Sequence, residues 1–522
     1  MDFLKEISPR DYQQKIFETC KEKNCLVVLP TGLGKTLIAL MLAIDRSQKF
    51  PGEKILFLAP TKPLAEQHLV FFNKHLPELF GDLQLFTGNV TAEKRREIWK
   101  TADIIFSTPQ CIANDLKNHL YDLKNVCLLV EDEAHRCLKN YDYNYIASTY
   151  IKNSIHPRIL GLTASPGSDN QKIKEICRNL SIEEVELRTR DSPDIIPNVQ
   201  ELEFEKVELE LPPEFQEIRG IMKSIHDLYI DELKARSLLY EVPTKVNLIK
   251  LQAKLGHMLS RGNQNFNLFK GMSACANAIK LQHALELLET QTLVGFNNYL
   301  KDLLDQSAKL KSKAVQQLVK RPDFNLAFVK SNYLIARNME HPKIAVLTDI
   351  IENELQSDVP LKAIVFSQYR DTAVIISKSL NKLPGIKAKI FVGQLKKKDT
   401  GLSQKEQKQT IDDFAAGDSN VLCATSIGEE GLDIPEVNLV VFYEPVASAI
   451  RAIQRAGRTA RLKKGKLIVL ITKKTRDESF YYVSRSKERK MRSAISDIKR
   501  DLSNGTLDFQ KTLDDRISQE SL

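Results

Sequence analysis

The 522-residue sequence lacks any C-x-x-C pair, although it contains eight cysteines. Without paired cysteines a structural zinc site is not expected. Cys25, Cys127 and Cys423 lie inside apolar runs and read as small core residues, which suits a reducing compartment. The opening stretch, Met1 to Arg10, has no basic segment followed by an apolar one, so no secretory signal is expected. Apolar runs stop at strand length, which excludes a membrane-spanning helix and a membrane partner. Low-complexity segments are missing too. Neither sign of charge dominates: 76 basic residues face 67 acidic ones, a formal net of +9. That balance leaves nucleic acid, acidic membranes and plain solubility open. A cytoplasmic protein is the expectation, nucleoid-associated if its source is archaeal.

What is present is ordinary for a folded chain: 42% apolar and 27% charged residues. The length suggests roughly three domains. Short, nearly continuous apolar runs recur early, at Cys25–Leu29, Ile55–Leu58, Ile104–Phe106, Val126–Val130 and Ile159–Leu162. They suit parallel strands buried on both faces. Helical stretches such as Thr36–Asp45 and Leu64–His75 alternate with them, the pattern of an α/β domain. The rhythm returns at Ala363–Phe366, Lys389–Val392, Val421–Ala424, Leu439–Phe442 and Leu467–Ile471. Between them, helical patterns prevail; Leu281, Leu285, Leu288, Thr292, Phe296, Tyr299 and Leu303 follow the spacing of one amphipathic helix. Expected boundaries are a first α/β domain at 1–195, a linker and helical insert at 196–340, a second α/β domain at 341–500 and a tail at 501–522.

The segment Leu29-Pro-Thr-Gly-Leu-Gly-Lys-Thr36 follows a predicted strand and opens a predicted helix. Backbone N–H groups of such a loop converge on phosphate oxygens, aided by the helix N-terminus. Thr31, Gly32, Leu33 and Gly34 would form the wrap. Lys35 would reach the β/γ-phosphates, and Thr36 would place its hydroxyl on Mg²⁺. Leu29 stands where the literal pattern wants glycine.

Glu131-Asp-Glu-Ala-His135 ends the buried run Val126–Val130. Acidic groups at the carboxyl edge of a parallel sheet face the ligand crevice. Asp132 would hold the Mg²⁺ water shell, and Glu133 would polarise the attacking water. A solvated acidic turn is the other reading of this string taken alone.

Together these two segments resemble the superfamily 2 helicases of the DEAH type, which use the Pro-Thr-Gly form of the loop. The resemblance implies ATP and Mg²⁺ as cofactors, and two RecA-like parallel-sheet motor domains with an all-helical insert between them. It implies that Gln13, in Arg10-Asp-Tyr-Gln13, reads adenine. Thr61 and Lys62, Gly88 and Thr108 match the loops that hold the nucleic-acid backbone. Thr163-Ala-Ser165 matches the segment that couples hydrolysis to movement. In Gln454-Arg-Ala-Gly-Arg-Thr-Ala-Arg461, Arg458 and Arg461 would be arginine fingers and Gln454 would help place the water; Ala460 departs from the family's usual glycine. Thr425 would meet a nucleic-acid phosphate and Asp433 the ribose.

Longer strings, such as Val365-Phe-Ser-Gln-Tyr-Arg370 and Thr425-Ser-Ile-Gly-Glu-Glu-Gly431, resemble the archaeal Hef helicases, relatives of the Fanconi-anaemia translocase. That resemblance covers nearly the whole chain. It implies an ATP-dependent helicase or translocase acting on branched or forked DNA in replication-fork repair, with a nuclease or a sliding clamp as partner. Lys309, Lys311, Lys313, Lys320 and Arg321 of the insert are candidate phosphate contacts, as are Arg485, Lys487, Arg489, Lys490 and Arg492. A solvated basic face explains both sets equally well. Alternatives remain: a duplex-RNA-dependent ATPase of the Dicer or RNA-sensor type, a non-catalytic DNA-binding scaffold, or an adaptor. The last part lacks a nuclease string, which leaves a stand-alone helicase and a fragment both open.

Overall fold

Apolar runs become strands because only a fully paired backbone can sit inside a core. A computed structural model describes residues 4–76, 81–198, 202–261, 265–310, 312–357, 359–393, 401–425, 434–446 and 465–505. The first part runs α1 (Asp11–Glu22), β1 (Cys25–Val28), α2 (Lys35–Lys49), β2 (Lys54–Leu58), α3 (Lys62–His75), β3 (Leu83–Phe86), α4 (Ala92–Thr101), β4 (Ile104–Ser107), α5 (Pro109–Lys117), β5 (Val126–Asp132), α6 (Asp142–Asn153), β6 (Ile159–Thr163), α7 (Asn170–Asn179) and β7 (Glu184–Leu187). The middle follows with β8 (Leu202–Leu209), α8 (Pro213–Ala235), α9 (Lys245–Ser260), α10 (Phe266–Thr290), α11 (Leu293–Ala308), α12 (Lys313–Val319) and α13 (Pro322–Ala336). The last part is α14 (Pro342–Leu355), β9 (Ala363–Phe366), α15 (Arg370–Leu380), β10 (Ala388–Phe391), α16 (Gln404–Ala416), β11 (Val421–Ala424), β12 (Leu439–Phe442), β13 (Gly465–Thr472) and α17 (Arg476–Ser503).

Among the described residues the strands form two sheets, ordered β3-β4-β2-β5-β6-β1-β7 and β10-β11-β9-β12-β13-β8. Every pairing is parallel. Parallel strands need crossover connections, and the helices that supply them cover both faces. Val27, Phe57 and Val130 face one core of the first sheet; Leu26, Leu56 and Leu129 face the other. The fold is therefore α/β with two parallel sheets and a helical region between them.

Three features differ from the sequence reading. Thr292 breaks the single amphipathic helix expected over Leu281–Leu303: it caps α11, accepting a bond from the Gly295 N–H at 3.1 Å. β8 lies within 196–340 yet pairs with β13 along its whole length. Its pattern Leu-Glu-Phe-Glu-Lys-Val-Glu-Leu is half exposed, as an edge strand allows, so no continuous apolar run marks it. α17 lies mostly within 341–500 but ends in the first domain's core. Met491, Ala494, Ile495 and Ile498 are buried among Leu26, Ile173 and Val185. Burying each isoleucine contributes about 1.5–3 kcal/mol. The 28 residues of this helix span about 40 Å and tie the two sheets together.

Candidate active site

Strand β1 delivers the glycine loop to the carboxyl edge of the first sheet, where loops between parallel strands and helices meet ligands. Gly32 and Gly34 take positive φ, 85° and 79°. A Cβ on Gly34 would be strained at this φ and would displace Gln13 Nε2, 2.1 Å from its position. The loop is gripped from α1: Tyr12 Oη donates to the Leu33 carbonyl at 2.8 Å and Gln13 Nε2 donates to the same oxygen at 3.1 Å. Gln13 Oε1 in turn accepts from the Arg10 N–H at 2.8 Å. The Gln13 amide thus holds the loop's backbone. Helix α2 starts at Lys35 without a side-chain cap, and the Leu37 and Ile38 N–H groups bond the Gly34 carbonyl at 3.1 and 3.3 Å. Lys35 Nζ folds back on the Leu29 carbonyl at 2.9 Å.

Strand β5 is buried at every residue and ends at Asp132. Tyr143 Oη donates to the Asp132 carbonyl at 2.7 Å and fixes that end. The carboxylate Oδ2 lies 3.0 Å from His68 Nε2, and His68 Nδ1 lies 3.4 Å from Thr36 Oγ1. Burial works against ionising Asp132. The His68 hydrogen bond and the nearby Lys35 outweigh it, holding this carboxyl below the usual aspartate range. Glu133 follows at φ 52°, a left-handed conformation that costs a non-glycine residue energy and is concentrated at functional turns. Its Oε2 lies 3.1 Å from His135 Nδ1. The same nitrogen lies 3.1 Å from Thr163 Oγ1, at the end of β6. Thr163 Oγ1 accepts from the Ser165 N–H, and Ser165 Oγ donates to Met491 Sδ of α17 at 2.9 Å. Glu131, one residue earlier, is wholly buried, and burial pushes its carboxyl well above the usual range.

The loop, Thr36, Asp132 and Glu133 therefore meet at one edge. The donor set is a hydroxyl and a carboxylate, hard oxygen groups in the small number that Mg²⁺ takes from protein when phosphates and water complete its shell. Thr61 and Thr108 open α3 and α5 after the neighbouring strands β2 and β4, each with proline in the first turn. Lys62 pairs with Glu66 at 3.3 Å on the surface, and a Cβ on Gly88 would meet open space. Thr425 lies at the end of β11 in the second sheet, buried, its N–H on the Phe391 carbonyl at 3.1 Å. Asp433, Gln454, Arg458 and Arg461 lie outside the described residues.

His68 escaped the sequence reading. It lies with Ala65, Phe72 and His75 on the buried stripe of α3, and a polar residue inside that stripe was the available signal. The terminal basic run is partly committed within the chain: Arg485 covers the Phe204 ring at 4.8 Å, and Arg492 bonds Asp191 at 3.2 Å and Glu488 at 2.9 Å.

Residues 10–173 match the DEAD/DEAH box helicase model, and residues 342–463 match the helicase conserved C-terminal domain. Residues 214–336 match a helical bundle described as that of a putative ATP-dependent RNA helicase. A putative ATP-dependent RNA helicase of Methanocaldococcus jannaschii is 38% identical over 95% of this chain and 61% of its own length. An ATP-dependent DNA helicase of Neurospora crassa is 34% identical, covering 90% and 41%. The Fanconi anemia group M protein homolog of Mus musculus is 33% identical, covering 93% and 26%. The chain thus spans less than two thirds of each of these relatives. The crystal structure of the Pyrococcus furiosus Hef helicase domain is 43% identical, with a TM-score of 0.70, covering 91% of this chain and 98% of that one. No helix among the described residues is long and apolar enough to cross a membrane.

Proposed function

The chain belongs to the Hef family of ATP-dependent DEAD/DEAH-box helicases, and from that premise we propose that it is a motor that moves on branched or forked DNA during replication-fork repair. The reading rests on one observation above others, the meeting of the glycine loop, Thr36, Asp132 and Glu133 at a single sheet edge. In it, the loop amides and Lys35 hold the ATP phosphates. Thr36 and Asp132 hold Mg²⁺, which would neutralise charge on the transferred phosphoryl oxygens. Glu133 orients the attacking water. Arg458 and Arg461 complete the charge clamp from the second domain, fingers of a kind typically worth about 10³–10⁵ in rate, and Gln454 helps place the water. Gln13 braces the loop through its amide and, as the family resemblance implies, stands at the base; Asp433 meets the ribose. Thr61, Lys62, Gly88, Thr108 and Thr425 contact the strand's backbone, which positions nucleic acid without reading its sequence.

Support for a nucleic-acid substrate comes from the α9–α10 hairpin. From Val242 to Leu285 the sequence contains no Asp or Glu. It does contain Lys245, Lys250, Lys254, Arg261, Lys270 and Lys280. Lys245 bonds Glu286 at 2.8 Å, whereas Lys250, Lys254 and Arg261 are exposed, as are Phe266, with Lys270 over its ring at 5.5 Å, and Phe269. A one-sign surface with aromatic rings suits a phosphate backbone and its bases. Two of the relatives are named as DNA helicases or Fanconi-anaemia proteins, which favours DNA. The second reading is duplex RNA, favoured by the names of the archaeal relative and of the helical-bundle model.

ATP turnover with forked DNA, linear duplex DNA and duplex RNA at fixed salt tests the choice, with Lys35→Ala as background. Strong stimulation by forks, lost in the variant, is expected. Preference for duplex RNA would replace the substrate and keep the motor.

A further inference from the structure

The imidazole of His68 touches both groups to which the preceding reading gives the metal. Nε2 lies 3.0 Å from Asp132 Oδ2, and Nδ1 lies 3.4 Å from Thr36 Oγ1. One tautomer satisfies both contacts. With the proton on Nε2 the ring donates to the carboxylate, and bare Nδ1 accepts from the Thr36 hydroxyl. A hydroxyl that gives its proton to Nδ1 turns its lone pairs elsewhere, toward a cation. The ring is also fixed on its face. It lies at 4.4 Å from the Phe57 ring, which stacks on Phe106 at 5.3 Å, and only 7% of the residue is exposed.

His68 has a second connection, through the helix that carries it. Helix α3 begins at Lys62, and Thr61 is its N-cap. His68 lies six positions after Lys62, about 9 Å along the axis. The same rigid rod thus bears two of the proposed strand contacts at one end and the imidazole in its second turn.

We propose that His68 is a positioning residue for the metal–nucleotide site: it aligns the Thr36 hydroxyl with the Asp132 carboxylate and ties both to α3. The proposal rests on the assignment of Thr36 and Asp132 to Mg²⁺. Groups that orient metal-holding side chains in this way are typically worth about 10–100-fold in metal affinity.

Binding, without turnover, tests it. A fluorescent ADP analogue is titrated into the intact chain with Mg²⁺ and, separately, with EDTA. His68→Ala is expected to weaken Mg²⁺-dependent binding about tenfold or more and to leave binding in EDTA unchanged, which also shows that the loop is still folded. His68→Gln, whose amide can still donate to Asp132, is expected to recover part of that loss. Asp132→Asn serves as the reference and is expected to abolish the gain from Mg²⁺. If Asp132→Asn removes the gain while His68→Ala keeps all of it, or tightens it, the role of His68 is overturned and the metal assignment stands. If Asp132→Asn keeps the full gain, the metal assignment itself is wrong, and the role of His68 falls with it.

Discussion

At the carboxyl edge of the first sheet, His68 joins Thr36 to Asp132. At the joint between the insert and the second sheet, Glu286 joins Lys245 at 2.8 Å, Arg476 at 3.0 Å and the Tyr369 hydroxyl at 3.0 Å. Nearby, buried Lys343 pairs with buried Asp477 and donates to the Thr290 carbonyl at 3.1 Å. Both networks bury charge, and both perturb the ionisation of a carboxyl group. Only the first stands beside a loop of left-handed glycines; positive φ and a helix start without a side-chain cap occur at both, Glu133 at 52° and α2 in the first, Lys474 at 56° and α15 in the second. The second joins structural parts: Tyr443 Oη donates to the Gln291 carbonyl at 3.1 Å, and Thr372 donates to Gln291 Oε1 at 2.9 Å. Buried charge therefore does not by itself identify a reactive centre; the loop of left-handed glycines beside it makes the distinction.

The largest effect that would sharpen this contrast is on stability. Lys343→Ala leaves Asp477 buried without its partner and is expected to cost about 3–5 kcal/mol, read by denaturant unfolding. Turnover per folded molecule should survive; a catalytic loss beyond the folded fraction would give the second network a role in the reaction.

Glu286 supplies a pH signature. Burial opposes its ionisation, but His283, Lys245 and Arg476 outweigh it and hold its pKa down to about 2. A folded pKa below the unfolded one contributes stability above the unfolded value. That contribution is lost as pH falls from about 4.5 toward about 2. Comparing unfolding midpoints of the wild type and Glu286→Gln should show the widest gap near neutral pH, closing in that acid window. A gap independent of pH would mean that the charge contributes nothing.

The smallest effect concerns the insert. Lys250→Ala with Lys254→Ala should weaken nucleic-acid binding regardless of sequence and reduce the salt slope by about one per residue. Changes at Lys309 and Lys320, followed by the same salt titration, should do less. Arg321 of that second set already bonds Asp323 at 2.8 Å.

How much was legible follows from what each signal depends on. The buried strands and the glycine loop are local patterns, so Cys25–Val28 and Leu29–Thr36 were read directly. Asp132 is legible because its acidic string ends a buried run in a chain that also carries the glycine loop. β8 was hidden because an edge strand alternates, and Leu202–Leu209 resembles a charged linker. The return of α17 to the first core depends on Met491, Ala494, Ile495 and Ile498 alone, in a helix otherwise full of charge. His68 depended on knowing which face of α3 is buried, a tertiary fact. Candidate phosphate contacts at Lys309–Arg321 and Arg485–Arg492 are legible because positive residues cluster there, whereas the α9–α10 hairpin is marked by the lack of acids from Val242 to Leu285.

The most direct test of the motor's nucleotide site is Glu133→Gln, measured for binding of Mg²⁺-nucleotide and for ATP turnover on the same sample. The account predicts that binding is retained while turnover falls to background, because the carboxylate acts on the attacking water and not on the phosphates. Turnover at the wild-type rate would contradict it.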